Sequence, residues 1–147
     1  MRAVITRVKE ASVTIDGEVT GRIDKGILVL LGVGPEDTEK EAALLADKIC
    51  GVRFFTDEND KMNLNLEAAG GSLLVVSQFT LYAQLKGRRP SFTKAAPPSL
   101  AEPLYERFME FCREKGFAVE HGSFGAHMEV ASVNDGPVTL WLDTAEM

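Results

Sequence analysis

Cysteine, histidine, tyrosine and tryptophan are all scarce: two, two, two and one among 147 residues. Cys50 and Cys112 lie far apart in the chain, each inside an apolar stretch with helical periodicity. Two buried, reduced thiols are expected rather than a disulfide. No C-x-x-C or H-x-x-x-H spacing occurs, so no zinc site is expected, and nothing in the sequence calls for another metal or a cofactor. A cationic surplus is also missing. The 22 acidic residues outnumber 16 basic ones, giving a net charge of −6, which argues against a general nucleic-acid-binding surface. The longest apolar run, Ile27 to Val33, is interrupted by Gly32 and is far too short to cross a bilayer. The N-terminus lacks the basic, apolar and small-residue zones of a secretory leader, so a cytoplasmic protein with no membrane partner is expected. Gly32-x-Gly34 has no third glycine and runs into Pro35, which removes the dinucleotide fingerprint. Asp57 to Lys61 is acidic, but the glycine and distal glutamate of a calcium loop are out of register, leaving a polar turn.

What remains is an ordinary globular composition, 45% apolar and 26% charged, expected to fold as one domain over residues 1–147. Ala3 to Val8 and Ser12 to Thr20 alternate as strands, with a hairpin turn at Asp16-Gly17. Gly26 to Val33 has the continuous apolar character of a strand covered on both faces. Thr38-x-x-Glu41 is a capping box, followed by Ala42, Leu45, Ala46 and Ile49 at helical spacing and a stop at Gly51. Val52 to Phe55 predicts a short strand, and Ser72 to Leu81 a longer one released by Gly70-Gly71. Residues 83–98 predict a long loop. Ser99-x-x-Glu102 predicts a second capping box with Pro103 in the first turn, and the stripe Leu104, Phe108, Phe111, Cys112 a helix ending at Gly116. Phe117 to Glu120, His127 to Val133 and Val138 to Asp143 predict strands, the last two joined across Asp135-Gly136-Pro137. The order, close to β-β-β-α-β-β-α-β-β-β, predicts an α/β domain with a mixed, largely antiparallel sheet.

Two segments carry the chemistry. Ser77-Gln78-Phe79-Thr80-Leu81-Tyr82 ends the apolar run Leu73-Leu74-Val75-Val76, so a buried strand delivers polar groups and backbone N–H donors to an edge or cleft. Ser77 and Thr80 are nucleophiles by type, but no base lies in the motif. His121 and His127 reach them only through the fold, and a Cys112–His121 or Cys112–His127 pair has no support beyond residue type. Backbone N–H groups at a strand end offer another route, stabilising the charge that develops on an ester carbonyl. Asn134-Asp135-Gly136-Pro137-Val138-Thr139 holds a Gly-Pro pair, read either as an ordinary turn or as a rigid wall that a ligand approaches closely. Lys86, Arg88, Arg89 and Lys94 form a short basic cluster with no acid among them, either a solvated loop or a local grip on phosphates.

The two hexapeptides together resemble the D-aminoacyl-tRNA deacylases, the chiral proofreading enzymes of translation. Arg7-Val8-x-x-Ala11-Ser12-Val13, Lys61-Met62-Asn63-Leu64 and Lys86-Gly87-x-Arg89-Pro90-Ser91-Phe92 resemble the same family, so the likeness spans the chain. It implies a three-layer α/β/β fold and a homodimer with active sites at the subunit interface. It implies that Ser77, Gln78, Phe79 and Thr80 line the pocket for the aminoacyl-adenosine end of tRNA, with the N–H groups of Phe79 and Thr80 on the carbonyl. Gly136 and Pro137 match the family's cis-peptide chiral selector, which enters the partner's site, and Arg7 matches the arginine that braces it. The implied reaction is hydrolysis of D-aminoacyl-tRNA, and of glycine mischarged on tRNA, assisted by the RNA. The residues alone leave open a non-catalytic RNA-binding module on Lys86, Arg88, Arg89 and Lys94, and a small-molecule esterase with a conventional nucleophile.

Overall fold

Apolar and polar residues alternate through the opening segment, and it forms β1 (Arg2–Ile15), the longest strand but one. A computed structural model describes residues 1–147. Asp16 and Gly17 turn the chain into β2 (Glu18–Ile23) with φ of 49° and 81°, the positive values a tight two-residue hairpin requires. β3 (Gly26–Gly32) runs antiparallel to the first half of β1 and parallel to β6 (Ser72–Ser77), and β7 (Val119–His121) lies parallel to β6 at the far edge. β8 (Glu129–Asp143) runs antiparallel to β1 along nearly its whole length. The sheet is therefore mixed. A separate two-stranded ribbon joins β4 (Phe55–Thr56) to β5 (Met62–Leu64).

Side-chain alternation divides the sheet between two cores. Ala3, Ile5, Ile27, Val29, Leu31, Leu73 and Val75 face the helices α1 (Glu39–Gly51) and α3 (Pro98–Glu114), whose Leu45, Ile49, Leu104 and Phe108 complete the larger cluster. Leu28, Leu74 and Val76 face the other way and meet Val8, Ala11, Val13 and Ile23 from the second half of β1 and from β2. Helices, sheet and folded-over strands make the three layers that the family resemblance implies. β1 changes core between Ile5 and Val8, and Arg7, buried to 8% exposure, stands at the crossing.

Several expectations shift. β6 ends at Ser77 rather than Leu81, because the chain tightens into a 3-10 turn over Phe79–Tyr82. The predicted Val52 to Phe55 strand lies later, at Phe55–Thr56, where it finds its partner in β5. A four-residue helix, α2 (Leu66–Ala69), capped by the Asn65 side chain, went unpredicted. α3 starts at Pro98 with Pro97 as its cap and no side-chain cap bond, so Ser99 to Glu102 is no capping box and Pro103 falls inside the helix. The carbonyl that Pro103 leaves free is that of Ser99, in the first turn and open to solvent. The last two predicted strands are one strand, β8, so Asp135-Gly136-Pro137 is not a hairpin turn.

The first capping box forms as predicted. Thr38 N and Oγ1 both donate to Glu41 Oε2, at 2.7 and 2.6 Å, and Lys40 N donates to Thr38 Oγ1 at 3.2 Å. The Thr38 hydroxyl, followed by its N–H, holds the Glu41 carboxyl below the usual glutamate range. A lowered folded-state pKa contributes stability above the unfolded pKa of about 4.3, and loses it as pH falls through the folded value. Denaturant titrations of Glu41→Gln should accordingly show only a small loss, roughly 0.2–0.5 kcal/mol at pH 7 because the carboxylate is solvent-screened, that closes below about pH 4.

Candidate active site

β6 is buried from Leu73 to Val76 and stops where its side chains turn polar. Gln78 N still donates to Leu31 O at 2.7 Å, holding the end of the strand against β3. The 3-10 turn follows, closed by Leu81 N to Gln78 O at 3.2 Å and Ala83 N to Thr80 O at 3.0 Å. The first N–H groups of this turn, those of Phe79 and Thr80, donate to no backbone carbonyl and no side chain. The Gln78 amide donates to Thr80 Oγ1, and no histidine, lysine or carboxylate hydrogen-bonds to the hydroxyl of Ser77 or Thr80. Neither hydroxyl is paired with a base, so the turn offers donors rather than an activated nucleophile.

Ser77, Gln78 and Phe79 line a cavity of about 530 Å³, within the roughly 300–1,000 Å³ span of small-molecule sites. Its walls are largely apolar and partly small: Ala95, Ala96, Ala101, Phe124, Met128 and Val130. No carboxylate lines it. Phe79 is half exposed and meets Phe92 edge to face, with ring centroids 5.2 Å apart. Thr80, Arg7, Gly136 and Pro137 do not line this cavity, so a single chain does not bring the two motifs together.

The second motif is a bulge in β8. Thr139 pairs with Thr6 and Asn134 with Val8, so Asp135, Gly136, Pro137 and Val138 all stand opposite Arg7. The Gly136–Pro137 peptide is cis. Gly136 has φ of 134°, and a β-carbon there would sit 2.7 Å from Val138 Cγ2 and 3.0 Å from Arg7 Nη2, so no other residue fits. The Asn134 amide closes the bulge, accepting from Val138 N and donating to Thr139 Oγ1, both at 2.9 Å. Arg7 holds it from behind. Its Nε donates to Asp135 O at 2.9 Å, and its Nη1 donates to Phe54 O at 3.2 Å and Thr56 Oγ1 at 3.1 Å.

A second arginine, which the sequence reading passed over, braces the first motif. Arg2 Nη1 donates to Leu81 O at 2.9 Å, its Nε to Asp143 at 3.0 Å, and its guanidinium lies 4.4 Å above the Tyr82 ring. Burial, together with Asp37 and Asp143, pushes the Tyr82 hydroxyl pKa well up, so it remains protonated. Nothing in the sequence distinguishes Arg2, because its partners lie 79 and 141 residues away. Lys86, Arg88, Arg89 and Lys94 are exposed on the loop that supplies Phe92 to the cavity. Cys112 is fully buried against Cys50, which with burial raises its thiol pKa, so no Cys–His pair forms. His127 reaches the cavity, whereas His121 lies in a separate groove with Glu102 and Arg113.

A family model described as D-Tyr-tRNA(Tyr) deacylase matches residues 4–143. The chain belongs to this family. Among curated relatives, the D-aminoacyl-tRNA deacylase of Thermosipho africanus (strain TCF52B) is 54% identical over 100% of this chain and 99% of its own. That of Exiguobacterium sp. (strain ATCC BAA-1283 / AT1b) is 58% identical over 97% of this chain and 98% of its own. Among solved structures, the c-Myc DNA Unwinding Element Binding Protein superposes with a TM-score of 0.92 at 43% identity, covering 97% of this chain and 98% of that one. A probable eukaryotic D-amino acid tRNA deacylase shares the fold, with a TM-score of 0.83 at 17% identity over 96% and 97% of the two chains. The hydrolase class and the fold expected from the sequence both stand.

In this deacylase scaffold, Arg7→Lys keeps the charge but not the fork of donors. It should cost about 2–3 kcal/mol in equilibrium unfolding, because Nε serves Asp135 O while Nη1 serves Phe54 O and Thr56 Oγ1, and a single ammonium nitrogen cannot stand at both positions. Asn134→Ala, at an exposed position, should cost only about 1 kcal/mol.

Proposed function

We propose that the chain hydrolyses the ester joining a D-amino acid to the 3′-terminal adenosine of tRNA. Full-length membership in the deacylase family carries this reading, and the site supports it chemically. An aminoacyl ester is already activated, so a site that offers oriented N–H donors needs no side-chain nucleophile. In the proposed reaction the carbonyl oxygen lies against the N–H groups of Phe79 and Thr80, with Ser77 and Gln78 lining the pocket. Water adds to the carbonyl carbon and its proton passes to solvent, aided by the neighbouring 2′-hydroxyl of the RNA. The ester C–O bond then breaks, and the ribose oxygen leaves as a hydroxyl with the second proton. The products are tRNA and the free D-amino acid.

Chirality is read by rejection. A second chain supplies its Gly136–Pro137 bulge to the mouth of this cavity, where backbone carbonyls clasp the α-amino group and collide with an L side chain. Glycine, with hydrogen in that position, passes. The homodimer this needs is supported by β8, a 15-residue edge strand that pairs only with β1 and leaves Val130, Val133, Leu140 and Trp141 exposed, Trp141 to 50%. A long apolar edge of this kind is an association surface in a stable protein. No helix is long and apolar enough to cross a membrane.

Parallel time courses on D-Tyr-tRNA and L-Tyr-tRNA test the reading. Selective loss of the D ester is expected. Loss of both would remove the selector role, and loss of neither would leave a binding module. Gly136→Ala should lower D-ester turnover by about 100-fold through displacement of the bulge. Cys112→Ala and His127→Ala should retain it within a few-fold. Equal loss in these two would favour a conventional nucleophile.

A further inference from the structure

Charge is distributed unevenly along this acidic chain. From Ala68 to Ala101 there is no aspartate or glutamate, although the whole chain holds 22. Within that stretch lie Lys86, Arg88, Arg89 and Lys94, all exposed. Arg2, Arg7, Arg22 and Arg107 each hold a carboxylate, while Arg53 and Arg113 donate to Asn63 and to Val119 O. Arg88 and Arg89 are the arginines without an ion pair or a hydrogen bond inside the fold. Guanidinium groups find partners readily, so two adjacent ones left free on a carboxylate-free stretch of chain are placed for an external anion.

The segment that carries them has a defined shape. Gln84 and Ser91 exchange two backbone hydrogen bonds of 2.8 Å, closing a narrow loop with Lys86, Arg88 and Arg89 at its tip. Beyond it, Ala96 N donates to Val33 O at 3.0 Å and seats the chain on the end of β3. Between the two anchors, Phe92 forms the cavity wall beside Phe79. The cations are thus carried on the loop whose Phe92 walls the cavity, and the cavity lining adds no negative charge to oppose them.

We infer that the Gln84–Lys94 loop docks the sugar-phosphate backbone of the single-stranded 3′ end of an RNA whose terminal nucleoside occupies the cavity. This rests on the proposed deacylation of tRNA and names the contact that reading leaves unspecified. With a net charge of −6 the remaining surface repels a polyanion, so attraction confined to one loop both recruits the strand and orients it. Phosphate contacts position without reading sequence, which suits a substrate that carries many amino acids on one common 3′ end.

The test compares the wild-type chain with the variant Lys86→Ala/Arg88→Ala/Arg89→Ala/Lys94→Ala on two substrates. One is D-Tyr-tRNA, and the other is the D-tyrosyl ester of adenosine, which has no phosphate. On tRNA, the variant should raise KM by about 10–100-fold at low salt with kcat retained. The slope of log kcat/KM against log salt should become shallower by about 0.7 for each lost single-strand phosphate contact. On the adenosine ester the two proteins should behave alike. Unchanged tRNA kinetics and salt slope overturn the inference, and so does equal loss on both substrates, which would mean damage to the cavity. A blunt RNA duplex that competes as well as a short single strand ending in CCA overturns the assignment to the single-stranded end. If the wild type cleaves neither substrate, the deacylase reading has failed. The salt dependence of tRNA binding by the two proteins, measured by fluorescence anisotropy, then still decides the docking surface, equal binding overturning it.

Discussion

Arg7 is the point on which the architecture turns. β1 serves the helix-facing core up to Ile5 and the opposite core from Val8 onward, and a buried guanidinium occupies the crossing. A charge placed there is tolerable only if its donors are occupied. Phe54 O, Thr56 and Asp135 provide that from a connecting segment, a short ribbon and β8. One side chain thereby fixes where β1 changes face, where the ribbon sits, and where β8 leaves its ladder. Arg2, five residues earlier and near the start of the same strand, does the corresponding work for the 3-10 turn through Leu81 O, Asp143 and Tyr82. The two motifs are thus referred to a single rigid element, and within one chain Gly136 and Pro137 stay outside the cavity that the first motif lines.

A site built from backbone, as proposed for the N–H groups of Phe79 and Thr80, has a different relation to sequence from one built from side chains. The N–H groups of Phe79 and Thr80 point where the end of β6 and the turn after it direct them, and the identity of those two residues matters mainly for what else they touch. Scarcity of histidine and cysteine is then no handicap. In the proposed site, the carboxylate-free, largely apolar cavity beside this turn places no competing negative charge near such donors.

Much of this was legible from residue order alone. The Asp16-Gly17 hairpin, the Thr38 cap, the continuous apolar β3 and the helical stripe of α3 are local signals, and each formed. The misreadings came where distant partners override a local pattern. Asp135-Gly136-Pro137 has turn chemistry, yet β1 pairs with the residues on both sides of it, so a bulge within one strand replaces a hairpin. Ser99-x-x-Glu102 has cap chemistry, yet Pro97-Pro98 already starts the helix. Arg7 was named through family likeness, and Arg2 was not named, because a guanidinium partnered across the fold leaves no trace in its neighbours. The small cavity residues Ala95, Ala96 and Ala101 are equally silent in sequence, since an alanine that makes room looks like any other alanine.

The bulge also bears on how this segment can evolve. Glu129–Asn134 and Thr139–Asp143 are each registered on β1, and four residues span the gap opposite Arg7. Adding or removing one of them would slide a flanking half by a single step, turning Leu140 and Leu142 to the opposite faces and parting Asp143 from Arg2. Exchange of one residue for another, Gly136 excepted, disturbs this stretch less than insertion or deletion does. The length of the Asn134-to-Thr139 interval is therefore under genetic constraint in its own right, as the glycine at position 136 is.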